Sequence, residues 1–152
     1  MTGERIVRTA SRVLLVDESD RLLLIEGFDP AAPELGTWWI TPGGGHEGDE
    51  DAERAAIREV WEETGHVLGA VAGPLWHRTT VFPFDGAVVE QTEDFFTARV
   101  PHFEPLAAAL TDLEHRSTQG MRWWTLAELE ATDVRLYPER LAELLRTALG
   151  LV

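Results

Sequence analysis

Three glutamates set the starting point: Glu59, Glu62 and Glu63 in the run Arg58-Glu59-Val60-Trp61-Glu62-Glu63. In a helix, at about 100° per residue, Glu62 falls roughly 60° to one side of Glu59 and Glu63 about 40° to the other. The carboxylates then share one quadrant, while Ala56, Ile57, Val60, Trp61 and Thr64 form an apolar stripe. Like charges at these spacings destabilise a helix by roughly a few tenths of a kcal/mol per pair. Arg58, four residues before Glu62, offsets part of this. A hard divalent cation such as Mg²⁺ or Ca²⁺ would offset more, since it takes oxygen ligands and carries two charges. The competing reading is a solvated acidic face.

The residues in front of the helix favour the cation. Trp38-Trp39-Ile40 reads as a strand, and Pro42-Gly43-Gly44-Gly45 as its sharp exit. Glycines let backbone approach a ligand closely and present bare N–H and C=O groups. A glycine triplet alone is an ordinary turn. Strand, glycine loop and carboxylate helix in direct succession are a more specific constellation.

This stretch resembles the Nudix hydrolase signature G-x5-E-x7-R-E-U-x-E-E-x-G-U, with U a bulky apolar residue. Gly44, Glu50, Arg58, Glu59, Val60, Glu62, Glu63 and Gly65 fill it in register. His66 departs from the last apolar position, and Gly48-Asp49 stands where Pro-Gly is usual. The resemblance implies an α/β fold, a Nudix-type α/β/α sandwich around a mixed sheet. It implies Mg²⁺, with Mn²⁺ as an alternative, held by Glu59, Glu62 and Glu63 with a loop carbonyl such as that of Gly43. It gives Gly44, Glu50, Arg58 and Gly65 structural roles. It also places a further glutamate, ligand or base, near Glu114. Glu114 lies in Thr111-Asp112-Leu113-Glu114, which has capping-box spacing, so capping its own helix is the other reading.

At 152 residues the chain is expected to form one domain with a proper core. Its apolar fraction of 44% and charged fraction of 26% are those of a globular protein. No apolar run is long enough for a membrane span, and MTGERIVRTA has no apolar signal core. There is no cysteine, which excludes disulfides, thiolate metal sites and cysteine nucleophiles and fits a reducing compartment. A cytoplasmic location is therefore expected. The net charge of −14 repels nucleic acid polymers and anionic membranes. It repels a phosphate substrate too, unless cations and local arginines reverse the field in the pocket. All thirteen basic residues are arginine. Arg8, Arg12, Arg78, Arg99 and Arg122 are candidates to bind phosphate, with Arg12 and Arg78 as the candidate substrate contacts.

Ile6 to Val16 and Leu22 to Ile25 read as a hairpin, and Phe28 to Gly36 as a loop before the Trp38 strand. Phe28 and Trp39 are candidates to stack on a base, with core or loop packing as the other reading. Leu68 to Phe82 reads as one or two strands broken at Gly73-Pro74. Asp85-Gly86 is a hairpin signal, and Val88 to Val100 a long strand. Alternation puts Gln91 and Glu93 on one side of it and Glu90 and Asp94 on the other. Asp94 is assigned to water and Glu93 is left open. Leu106 to Leu110 could be a short helical piece. Met121 to Trp124 is a strand, Thr125 to Glu128 a second capping box, and Pro138 suits the first turn of a last helix ending at Gly150. Its stripe is Leu141, Leu144, Leu145, Ala148 and Leu149.

The expected activity is hydrolysis of a phosphoanhydride in a nucleoside diphosphate linked to another moiety: a nucleotide sugar, ADP-ribose, a dinucleoside polyphosphate or an NTP. The alternatives are a non-catalytic nucleotide-binding or regulatory module, expected to lack box glutamates, and an isoprenoid diphosphate isomerase, whose chemistry resembles one that needs a cysteine. Pro83 and Phe84 stand near positions that mark substrate classes in the family, but neither match decides the substrate. The resemblance also raises a homodimer.

Overall fold

A computed structural model describes residues 4–151; Val152 and the first three residues of the segment inspected for a signal lie outside it. The chain runs β1 (Arg5–Val16), β2 (Leu22–Phe28), a 3-10 turn (Pro33–Leu35), β3 (Thr37–Ile40), β4 (Gly43–Gly45) and α1 (Ala52–Thr64). It continues with β5 (Ala72–Phe84), β6 (Ala87–Arg99), α2 (Asp112–Ser117), β7 (Thr118–Trp124), α3 (Leu126–Ala131), β8 (Leu136–Tyr137) and α4 (Leu141–Ala148).

The strands form one mixed sheet in the order β5-β6-β1-β2-β3-β8, with β4 on β1 and β7 on β2. Alternate residues of β1 feed two cores. Val13 and Leu15 face α1, packing with Ala56, Val60 and Phe96. Leu14 and Val16 face α3 and α4, packing with Phe95, Leu129, Leu141 and Leu145. This is the expected α/β/α sandwich, and its period-2 alternation is what lets one strand serve both layers.

The site depends on a split in the sheet. β1 and β2 pair only next to their turn, at Val16 and Leu22. Beyond it they diverge: β3 takes β2 as its neighbour, and β4 takes β1, with Gly43 opposite Arg12. On its other side β1 runs parallel to β6 over its whole length, from Arg5–Val88 to Val16–Arg99.

Several sequence expectations change. Gly73-Pro74 does not break β5 but is absorbed as an irregularity in its pairing with β6, and the strand runs on to Phe84. The turn is then Asp85-Gly86, with φ of 50° and 80°. Positive φ at both positions is the twist-matching hairpin geometry that Asp-Gly favours. Leu106–Leu110 is not helical, because its N–H groups serve α1. Leu106 donates to the Thr64 carbonyl, and Ala108 and Ala109 to that of Glu62, capping the helix end. Helix α4 starts at Leu141, three residues after Pro138, since Leu136 and Tyr137 are still held in parallel pairing with Trp39 and Ile40. Trp61, read as part of the α1 stripe, is 43% exposed; Ala56 and Val60 carry the packing. No helix among the described residues is long and apolar enough to cross a membrane.

Candidate active site

Helix α1 starts at Asp51, whose side chain accepts from the Arg54 N–H at 2.8 Å. It ends at Gly65 in the left-handed conformation. Between these stops it lies behind β4. Glu59 and Glu63 are 7% and 5% exposed, so the acidic face is not solvated. A carboxylate oxygen from each of Glu59, Glu63 and Glu114 lies within 4.8 Å of the others. The backbone N–H of Gly43 donates to Glu63 Oε1 at 2.6 Å. Glu114 keeps both of its expected roles open: it accepts from the Thr111 N–H at 2.9 Å in a complete capping box, and it also reaches the cluster. Glu62 is not one of the three that converge; its carboxylate accepts from Arg58 Nη1 at 3.0 Å, the nitrogen that also reaches Glu59.

The glycines permit this approach. Gly43 has φ of 151°, and a Cβ there would sit 2.2 Å from the Ser11 carbonyl oxygen and 2.7 Å from Arg12. A Cβ on Gly44 would meet the Glu59 carboxylate at 2.6 Å. Only bare backbone fits between β1 and α1.

Arg58 braces the assembly. Its Nε and Nη2 donate to the two oxygens of Glu50 at 2.8 and 2.9 Å. Nη1 reaches Glu59 Oε1 at 3.0 Å, and Nη2 the Gly45 carbonyl at 3.0 Å. Helix, loop and the turn before the helix are thus joined through one guanidinium. The hydrogen bonds from Arg58 hold Glu50 below the ordinary carboxylate range. His66, at the departed apolar position, stacks on Phe103 with centroids 4.6 Å apart. Its ring supplies the apolar body that the position calls for.

Burial pushes the Glu59 carboxyl up to about 7, against the opposing pull of Arg58. Burial, then the neighbouring Glu59 charge, pushes Glu63 well above its ordinary value, with Arg12 opposing. Two carboxylates held toward the protonated form, side by side and with hard oxygen donors, are what a divalent cation would relieve. The donor set fits Mg²⁺ or Mn²⁺.

Across the glycine loop, β1, β5 and β6 present an inward wall of arginines. Arg12 Nε and Arg78 Nε share Glu93, at 2.9 and 2.7 Å. Arg12 Nη1 also donates to the Gly43 carbonyl at 3.0 Å. Arg8 donates to Gln91, whose Nε2 donates to Glu93 Oε2 at 2.8 Å. Burial pushes Glu93 up, but Arg12 and Arg78 outweigh it and hold it below its ordinary value. Strand alternation places Glu93 and Gln91 on one face, but only the pairing of β6 with β1 and β5 brings the arginines opposite them. Asp94, assigned to water, is half-buried and pairs with His77 at 2.7 Å.

The remaining candidates lie elsewhere. Arg99 pairs with Asp20 at the β1–β2 turn, 2.6 Å away. Arg122 pairs with Glu128 at 2.7 Å and stacks over Trp124. Trp39 packs edge-on to Trp124 at 5.3 Å, against the core under α3 and α4. Phe28, at the end of β2, is half-buried opposite Thr37. The aromatic edge that forms instead joins Trp38 to Phe84 and Tyr137, at 6.4 and 5.8 Å. A cavity of about 240 Å³ opens beside Glu63, lined in part by Ile25, Leu110, His115 and Met121.

Over residues 7–145 the sequence matches the family described as NUDIX domain, and the chain belongs to that family, the Nudix hydrolases. Among solved structures it is similar to a MutT NUDIX hydrolase from Burkholderia pseudomallei, at TM-score 0.66 and 24% identity, covering 90% of this chain and 95% of that one. It is also similar to an E. coli dihydroneopterin triphosphate pyrophosphohydrolase, at TM-score 0.64 and 18% identity over 93% and 96% of the two chains. A C. elegans Ap4A hydrolase follows at TM-score 0.60 and 18% identity, over 94% and 96%. These likenesses establish the fold. A curated mouse relative, diphosphoinositol polyphosphate phosphohydrolase 3-alpha, is 43% identical over 65 residues, and the match spans 38% of each chain.

Proposed function

We propose that this enzyme is a Mg²⁺-dependent hydrolase, Mn²⁺ serving in its place, that cleaves a phosphoanhydride bond in a nucleoside diphosphate linked to another moiety. The observation that carries the reading is the convergence of the buried Glu59 and Glu63 with the half-buried Glu114, an oxygen of each within 4.8 Å of the others, behind a glycine loop and facing arginines. The ion would be held by Glu59 and Glu63 together with Glu114, Glu62 and the Gly43 carbonyl. When bound, it supplies neutralisation of phosphate charge and acidifies water.

The chain's own residues do the rest. A phosphoanhydride is protected by its negative charge, so positioning and charge neutralisation dominate catalysis. Arg8, Arg12 and Arg78, together with the bound cation, would oppose locally the repulsion of phosphate by a chain with net charge −14. A carboxylate oxygen of Glu59 or Glu114 takes the proton of the attacking water. Arg58 and Glu50 hold helix and loop so that these oxygens stay convergent. The names of the similar proteins, an Ap4A hydrolase, a dihydroneopterin triphosphate pyrophosphohydrolase and a diphosphoinositol polyphosphate phosphohydrolase, all specify phosphate-bearing substrates and support a phosphoanhydride here.

The test is release of phosphate and mononucleotide from ADP-ribose, NADH, diadenosine polyphosphates, nucleotide sugars and dNTPs, with Mg²⁺ or Mn²⁺ at alkaline pH. A diphosphoinositol polyphosphate belongs in the panel because of the 43% identical relative. One strong nucleotide substrate supports the reading. Turnover of the inositol compound alone replaces the nucleoside, and silence across the panel with metal bound favours a binding module.

A further inference from the structure

The wall gathers three guanidiniums, those of Arg8, Arg12 and Arg78, around Glu93 and its partner Gln91. Arg12 and Arg78 are both engaged by Glu93, which is 2% exposed. Arg12 is further tied to the Thr41 and Gly43 carbonyls at 3.3 and 3.0 Å. Arg78 lies over the rings of Trp76 and Phe95 at 5.7 and 5.8 Å. Arg8 is different. Among the described residues its guanidinium forms no ion pair, and its Nε donates to the amide oxygen of Gln91, a neutral acceptor.

The orientation of that amide is dictated by its neighbours. Glu93 as a carboxylate can only accept and Arg8 can only donate, so the Gln91 NH₂ must face Glu93 and its oxygen Arg8. Gln91 is 1% exposed and cannot turn away. Arg8 is thereby aimed by a neutral partner, and among the described residues its two Nη groups form no hydrogen bond, which leaves them for a ligand. The residue is solvent-accessible. It stands against the glycine loop: a Cβ on Gly45 would be 3.6 Å from Arg8 Cδ and 3.9 Å from Nη1. The Gly45 carbonyl is in turn held by Arg58, which also binds Glu59.

We infer that Arg8 is the phosphate-gripping residue of this site, aimed by Gln91, while Arg12 and Arg78 position the wall. This rests on the reading of the substrate as a phosphoanhydride. A guanidinium with a free fork matches two oxygens of one phosphate, which the committed guanidiniums of Arg12 and Arg78 do less well. Gln91 is a positioning residue.

The experiment is titration of the full chain with inorganic pyrophosphate by calorimetry, first in EDTA and then in MgCl₂, for the wild type, Arg8→Gln, Arg8→Lys and Gln91→Glu. Arg8→Gln should weaken binding by about tenfold or more, the loss of a charge-assisted contact, with an unchanged melting temperature. Arg8→Lys, keeping the charge but not the fork, should fall between. Gln91→Glu, which gives Arg8 a carboxylate partner, should weaken binding although Arg8 remains. Equal affinity of wild type and Arg8→Gln in MgCl₂ overturns the inference, as does no binding by the wild type in either buffer. Pyrophosphate affinity is read without turnover, so silence in the substrate panel alongside an Arg8-dependent affinity would count against the hydrolase reading and not against Arg8.

Discussion

Gly44 and Glu59 are in such close contact that a single added carbon cannot fit: a Cβ on Gly44 would lie 2.6 Å from the carboxyl carbon of Glu59. The backbone of Gly44 carries no positive φ, so an alanine there is strained by this contact and not by its own conformation. Gly44→Ala should push the Glu59 carboxylate out of the cluster. Misplacement by about an ångström costs roughly 100-fold in rate. Turnover at saturating metal should fall by that order while circular dichroism and the melting profile stay close to wild type.

Glu114 separates its two roles through one conservative change. Glutamine at this position can still accept from the Thr111 N–H, so Glu114→Gln preserves the capping box. It removes a charge from the cluster. The expected outcome is an intact fold with a large loss of metal-dependent turnover and weaker metal binding by calorimetry. Wild-type kinetics in this variant would reduce Glu114 to a helix cap. Glu62→Gln, whose partner is Arg58 and not the cluster, is expected to leave folding intact and to abolish turnover if Glu62 moves to the ion; full activity would remove it from the ligand set.

Arg58 should behave otherwise. It offsets Glu50, Glu59 and Glu62 together from a half-buried position. Arg58→Ala leaves all three without their partner and should cost about 2 kcal/mol or more of stability in addition to rate. Urea unfolding in EDTA measures this directly. A loss of rate with unchanged stability would make Arg58 a substrate contact.

The raised carboxyls predict an inverted pH dependence for the metal-free protein. Glu59 moves from an ordinary 4.5 to about 7, so between those values the folded chain holds a proton that the unfolded chain has lost. Stability therefore falls as pH rises through this window, by up to about 3 kcal/mol for Glu59 alone, and Glu63, raised in the same direction by burial, adds to the fall. A divalent cation competes with those protons. Melting temperatures in EDTA should drop from pH 5 to pH 8, and MgCl₂ should restore more at pH 8 than at pH 5. A metal-free melt that is flat over this range would contradict the burial of these two groups.

The acidic helix and the turns of this site were legible in the sequence because they are local. Helical periodicity placed Glu59 and Glu63 near each other, the capping boxes at Thr111 and Thr125 formed as read, and Asp85-Gly86 turned the hairpin, since each depends on residues a few positions apart. What the sequence could not determine was which partner each charge would find. Glu62 and Glu63 are adjacent, yet one turns to Arg58 and the other to Gly43 and Glu114, a choice made by how α1 rotates against β4. Trp39 went to the core and Trp38 to the open edge, because the pairing of β3 with β2 fixes which side each faces. Arg8, Arg12, Arg78, Gln91 and Glu93 became a wall only when β6 lay parallel to β1, more than eighty residues away in sequence. That pairing is set by burial of Val13, Leu15, Phe95 and Phe96 on the two sheet faces, which is a property of the packed whole and of no single stretch.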